Sequence, residues 1–294
     1  MNHLAKARFP RPVRRFTGNS VPQAVLVALL GLALMAAALS MVVPFLWMIS
    51  TSLKQRGMVF VLPPQWIPNP PQWDNYAQVT RRFPFVANTV NSMKVAILGS
   101  FGQIVSCSLA AYAFARMRFP GSKVIFMILL ATMMIPGQVT AIPVFLIWNK
   151  LGGVNTHWPL ILPSWLGGAF GTFLLRQTYL GIPQEYSDAA KIDGAGHWRI
   201  LTHIYLPMSK PALATLAVFV FLGLWNDFLT PVIYLSSPAK MTLQVGLSYF
   251  RGQFNTEWNL LMAGTVIAVL PVLVLYMVAQ RYFVQGIALA GLKG

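Results

Sequence analysis

Long apolar stretches without charge alternate with short polar ones along this 294-residue chain. Uncharged apolar runs extend from Phe16 to Leu53, Val95 to Ala115, Val124 to Asn149, Leu151 to Leu175 and Trp258 to Gln280. A sixth, from Pro211 to about Leu235, carries one ionisable group, Asp227. A helix crosses a bilayer with about 20 mainly apolar residues, so the pattern predicts six transmembrane helices. A chain with 56% hydrophobic and only 10% charged residues cannot cover a soluble globule with polar surface. The expected class is therefore all-α integral membrane.

The net charge of +16 would suggest nucleic acid in a soluble protein, but here the basic residues gather at the ends of apolar runs. Lys6, Arg8, Arg11, Arg14 and Arg15 precede the first run, Arg116, Arg118 and Lys123 fill the turn after the second, and Arg281 and Lys293 follow the last. This is the pattern of topology signals and anionic lipid contact. It places both termini in the cytoplasm, with no nucleic-acid partner. Lys54, Arg56, Arg81 and Arg82 then fall outside, in a longer loop that weakens the rule. Ala36-Ala37-Ala38 imitates a signal cleavage site, but the apolar run continues to Ile49, so an uncleaved span is expected.

The polar island between Pro183 and Pro211 holds half of the acidic residues. It reads as two short helices around a glycine corner. Pro183 suits a first helical turn, and Glu185 and Asp188 lie near a helix N-terminus, where negative charge is favoured. Glu185, Asp188, Ala189 and Ile192 recur at helical spacing and share one face. Ala189 and Ala190 allow another protein close to the backbone. Gly194, after Asp193, can take the left-handed conformation that ends a helix, Gly196 adds freedom, and Trp198 to Ile204 forms the second helix. Leu206 and Pro207, with Pro211, then lead into the next span.

The segment from Lys54 to about Val86 is rich in proline and is expected to be extended, with Trp66, Trp73 and Tyr76 read as interfacial anchors rather than partner contacts. Pro44, Pro136, Pro143, Pro163, Pro231 and Pro271 are expected to kink or break spans that line a cavity. Gly167 and Gly171 form a small-xxx-small pair suited to close helix packing, or Gly167 serves flexibility instead. The segment from Ser236 to Glu257 is long enough to reach a protein above the membrane. Asn226 and Asp227 either face a translocation cavity or pair with a neighbouring helix; with Gln138 and Trp225 they form the candidate substrate path.

Cys107 is alone, and His3, His157, His197 and His203 show no ligand spacing, so the chain offers no disulfide and no metal site. No paired carboxylates or nucleophile with its base stands in the spans, which argues against a membrane enzyme. A phosphate-binding Gly-x-x-x-x-Gly-Lys-Ser/Thr loop is absent, so this chain is expected to bind no cofactor and any ATP must be bound by another polypeptide. A secondary transporter or channel using Asp227 is the alternative, but at ~24 Å from Pro211 the carboxylate lies nearer the outer face than the midplane.

The spacing Asp188-Ala189-Ala190, Gly194, then Ile204, Leu206 and Pro207 resembles the EAA loop by which permease subunits of ABC importers dock on their ATPases. Further segments are similar to the sugar-importing branch, specifically the second permease of maltose-type importers: Asn91 to Lys94, Ala110 to Gly121, Met134 to Gln138, Trp225 to Phe228 and Gln280 to Gly286. The resemblance runs from about Val42 to Gly294. The family's loop usually has Glu where this chain has Asp188. The resemblance implies a type I ABC importer permease architecture working by alternating access. Residues 1–20 would form a basic cytoplasmic segment and 21–294 the permease domain, with a coupling loop over 182–210. It also implies a second homologous permease, two ATP-binding subunits that hold ATP and Mg, an extracellular solute-binding protein and a sugar substrate.

Overall fold

The computed structural model describes residues 21–252 and 256–291, so the basic segment 1–20 lies outside the described residues. The chain divides into two compact units, residues 1–48 and 49–294. Helix α1 (Val21–Ser52) supplies the described part of the first unit. Its side chains are exposed on every side from Val25 to Leu46. A helix that is apolar all round is stable only against lipid or other protein.

In the second unit, the end of α1 is tied to α2 (Asp74–Arg82). Asn75 donates its amide to the carbonyls of Ser52 and Lys54 at 2.8 and 2.9 Å, and the Ser52 and Tyr76 hydroxyls are 2.8 Å apart. The expectation of a wholly extended segment over 54–86 is corrected here. The proline-dense part ends at Pro71, and the next proline, Pro84, stands just before the helix that starts at Phe85. Between Pro71 and Pro84, Asp74 begins a helix and Arg81 and Arg82 end it, charges of the favourable sign at each terminus. Buried Asn75 and Val79 share its inner face.

Helix α3 (Phe85–Arg116) is 32 residues long, or about 48 Å, and contributes to all three buried clusters. Small residues Ala96, Gly99, Ser100 and Gly102 let its neighbours approach the backbone. The third apolar run is not one straight span. It divides into α4 (Ser122–Ala131), one 3-10 turn and α5 (Gly137–Lys150), bent by 101°. Pro136 stands extended at the break, where it has no N–H to donate.

Helices α6 (Trp158–Trp165) and α7 (Ala169–Leu180) form one apolar stretch interrupted at Gly167, whose φ of +93° is costly for other residues. Gly171 packs closely, its missing Cβ leaving room for Cys107 and Leu216. The polar island forms α8 (Glu185–Ile192), α9 (His197–Ile200), a widened π turn over Leu201–Tyr205 and α10 (Leu206–Met208). After an 81° bend, α11 (Lys210–Asn226) enters the membrane.

The run from Pro211 to Leu235 is broken as well, at Asp227, four residues before Pro231, one of the prolines expected to break a span. Asp227 is extended, its Oδ1 accepts the Thr230 N–H at 3.2 Å, and a separate α12 (Leu229–Tyr234) follows. The next segment does not hang free. Helix α13 (Leu243–Ser248) is folded into the core, with Leu243, Val245 and Leu247 buried. Helix α14 (Trp258–Gly291) completes the described chain.

Four stretches are long and apolar enough to cross a membrane, 25–52, 85–116, 158–180 and 258–282, and the two bent pairs make six if each is one crossing. One buried cluster, around Phe83, Phe221, Trp225, Leu247 and Leu260, joins α2, α3, α11, α13 and α14. A second, around Cys107, Tyr112, Leu175, Tyr179, Tyr205 and Leu216, joins α3, α7 and α11 to the polar loop. The third, around Val95, Leu160, Ile161 and Tyr234, joins α3, α6 and α12.

Candidate functional site

Two regions bring the expected site residues together. The first is the loop from α8 to α10. Glu185, Asp188, Ala189 and Ile192 are all exposed along one face of α8, Ile192 at 87%. Asp188 pairs with Lys191 at 3.2 Å, both more than half exposed; such a surface pair contributes ~0 to 1 kcal/mol. Ala190 packs partly against the buried cluster beneath. Asp193 closes the helix and Gly194 turns the chain with φ of +78°. Nothing lies within 4 Å of where a Cβ on Gly194 would stand. Ile204 and Leu206 pack partly into the same cluster, and Pro207 is exposed. Gly196 has an ordinary negative φ of −73°, so it supplies no special freedom.

The underside of the loop was not foreseen in the sequence. The Ser187 and Tyr205 hydroxyls lie 2.6 Å apart in a buried site. The Tyr205 ring meets Tyr112 of α3 and Tyr179 of α7 edge to face, with centroids 5.3 and 5.2 Å away. Tyr112 also shares a 3.0 Å hydrogen bond with His197 Nδ1. Arg116, at the end of α3, donates to the Tyr179 carbonyl at 2.6 Å and to that of Ile182, with its guanidinium 5.3 Å from the Tyr205 ring centre. A charge-assisted bond to two carbonyls at a helix end is stronger than a neutral one. Arg116 thus fastens the loop's entry to α3. The available signal was a set of tyrosines and one arginine placed among apolar residues.

The second region is a cleft of about 510 Å³ between α5, α6 and α12. Gln138 and Thr140 of α5, Ser164 of α6, and Asp227, Thr230 and Tyr234 face it. The structure therefore brings Gln138 and Asp227 together. Trp225 is not on this cleft: it is 1% exposed, stacks on Phe221 and donates its indole N–H to the Ala268 carbonyl at 3.2 Å. A large aromatic ring fits the close-packed core better than a polar cavity. Asn226 is exposed, but its amide donates to Leu222 and its oxygen accepts from Gln244. It too is not on the cleft wall. Among the described residues no group of three His, Cys, Asp or Glu could hold a metal.

Broken apolar helices long enough to cross a membrane, a polar cleft at the breaks and a loop anchored beneath by tyrosines define a helical bundle of the polytopic membrane class. The chain belongs to the family described as binding-protein-dependent transport system inner membrane component, matched over residues 103–289. It is 32% identical over 246 residues to the arabinooligosaccharides transport system permease protein of Halalkalibacterium halodurans, covering 83% of this chain and 86% of that one. It is 33% identical over 276 residues to the galactooligosaccharides transport system permease protein of Bacillus subtilis, covering 92% and 96%. Its fold matches a chain of a bacterial ABC transporter that imports the acidic polysaccharide alginate, with a TM-score of 0.78 at 24% identity over 90% of this chain and 99% of the other. The architecture is that of a type I ABC importer permease. The chain is a multi-pass translocation component, and in such systems ATPase activity lies in separate subunits.

Proposed function

We propose that this chain is one of two homologous permease subunits of an ATP-driven importer of a sugar or oligosaccharide. Arabinooligosaccharides and galactooligosaccharides in the names of its relatives support a carbohydrate substrate. Two ATP-binding subunits would hold ATP and Mg, and a solute-binding protein outside the membrane would deliver the sugar. Both termini would be cytoplasmic, with six crossings and the loop 182–210 on the same side. The loop would dock on an ATPase subunit and pass its movement to the spans by alternating access. The neutral amide and hydroxyls of Gln138, Thr140, Ser164 and Tyr234 suit sugar hydroxyls in the cleft.

The observation that carries this reading is the division of the loop between two faces. Glu185, Asp188, Ala189 and Ile192 point away from the chain, while Ser187 and Tyr205 bind it to the helices behind. An exposed small residue between a carboxylate and an isoleucine is a surface another protein can approach closely. The test is Ala189→Trp in the assembled transporter, measured by co-purified ATPase and by uptake. Loss of both with normal membrane insertion is expected. Wild-type amounts of bound ATPase together with wild-type uptake would refute the docking role.

A further inference from the structure

A second cleft, of about 580 Å³, lies between α6 and the Phe85 end of α3, apart from the polar cleft. Its walls are Leu98, Trp158, Ile161, Leu162 and Trp165, and its polar groups, Lys94 and His157, come from the same end of the two helices. The other end is apolar. There Trp165 lies flat against α3 at Gly102, where a Cβ would strike the ring, and donates its indole N–H to the Leu98 carbonyl at 3.0 Å. The cleft therefore has a charged mouth and an apolar floor along one direction.

Lys94 immediately precedes the uncharged run from Val95 to Ala115, so it stands at the edge of the hydrocarbon layer. It is exposed, and among the described residues no carboxylate pairs with it. Lys240 adds a second positive charge nearby, with its Nζ donating to the Asn155 carbonyl at 3.0 Å. Burial, together with repulsion from Lys94 and Lys240, pushes the His157 imidazole below its ordinary value. Its Nε2 donates to the Lys240 carbonyl at 2.7 Å, so His157 serves here as a neutral strut and the charge comes from the lysines. A lysine at this edge reaches the headgroup layer, where anionic lipid attracts it by ~1 kcal/mol, and tryptophan is favoured at the same level.

We propose that this cleft holds one anionic phospholipid of the leaflet at the Phe85 end of α3, its phosphate at Lys94 and an acyl chain along Leu98, Leu162 and Trp165. A sugar does not fit, because its hydroxyls would meet five apolar side chains and two polar groups. A helix of another subunit would leave Lys94 without an anion unless it brought a carboxylate to this depth.

The experiment uses the assembled transporter purified in mild detergent, with phosphatidylglycerol and phosphatidylcholine offered in turn and retained lipid counted by native mass spectrometry. Wild-type protein should retain phosphatidylglycerol in preference to phosphatidylcholine. Lys94→Gln should lower that preference about fivefold, as expected for one cation near a headgroup, and Lys94→Arg should keep it. Should Lys94→Gln fail to assemble, Leu162→benzoylphenylalanine in the otherwise native chain decides by photo-crosslinking in membranes. An adduct with the mass of a phospholipid supports the assignment. Crosslinks to protein alone, or equal phosphatidylglycerol retention by wild type and Lys94→Gln, would overturn it.

Discussion

Substitution of Gly194 separates what the loop needs for its own shape from what a docked subunit requires. The residue has φ of +78°, and no atom lies within 4 Å of its Cβ position. Within this chain, a Cβ at Gly194 therefore meets backbone strain and no clash. That strain is ~1 to 2 kcal/mol for an ordinary L-residue in the left-handed region and smaller for Asn. A loss of ~1 kcal/mol reduces the population of the native turn about fivefold. In the isolated chain, Gly194→Ala and Gly194→Trp should thus lower thermal stability by similar amounts, with Gly194→Asn near wild type. In the reconstituted complex the two strained variants should separate, because only the indole projects into the space of a docked ATPase. The assays are ATPase binding, hydrolysis stimulated by the binding protein, and uptake. Alanine should weaken coupling severalfold and tryptophan much further. If Gly194→Trp inserts normally and retains all three at wild-type levels, the coupling role of this loop is wrong.

Three further outcomes follow from the same geometry. Ser187→Ala leaves the Tyr205 hydroxyl buried without its 2.6 Å partner and should cost ~1 to 2 kcal/mol; adding Tyr205→Phe should bring less than the sum of the single losses in thermal unfolding, and full additivity would show that the pair does not interact. Asp227→Asn keeps an oxygen to accept the Thr230 N–H but removes the negative charge from the cleft, so assembly should persist while uptake or sugar preference changes; an unaltered sugar profile at normal rate would count against the cleft as the sugar path. In a Cys107→Ala background, Pro70→Cys should be labelled from outside the cell and Ala190→Cys only from inside, and the reverse at either position would sink the proposed topology.

Hydropathy reveals how much of the chain is apolar but not where the chain bends inside an apolar run. The run from Pro211 to Leu235 averages as one span because residues on both sides of Asp227 are equally apolar. At the break Pro231 has no N–H to give the Asp227 carbonyl, and the Asp227 carboxylate accepts the Thr230 N–H instead, with its own residue extended. Proline gave a better signal at Pro136, where the missing donor coincides with the 101° bend. Proline also misled: its density up to Pro71 hid the helix that starts at Asp74. The length of the segment after Ser236 likewise says nothing of how its middle packs. Leu243, Val245 and Leu247 sink into the core, where the Leu243 N–H finds the Ser92 hydroxyl at 2.8 Å.

For the loop, periodicity identified the face that points outward, because Glu185, Asp188, Ala189 and Ile192 need only the helical repeat to be grouped. The face that holds the loop in place comes from distant residues: Ser187 meets Tyr205, Arg116 reaches the carbonyls of Tyr179 and Ile182, and Tyr112 meets His197. No local period links positions that far apart. Arg116 shows the difficulty most clearly. In the sequence it reads as a topology charge at the end of a span, and in the structure the same charge binds the carbonyls from which the polar loop begins. Since α3 also carries residues of all three buried clusters, a force applied to the loop enters a helix that is packed along much of its length. Close packing is what makes such a helix resist local yielding. If the loop carries an ATPase's movement, a displacement at Gly194 would therefore pass more readily as a shift of packed helices than be absorbed at the base of the loop, with Arg116, Tyr112 and Tyr205 as the contacts that would carry it.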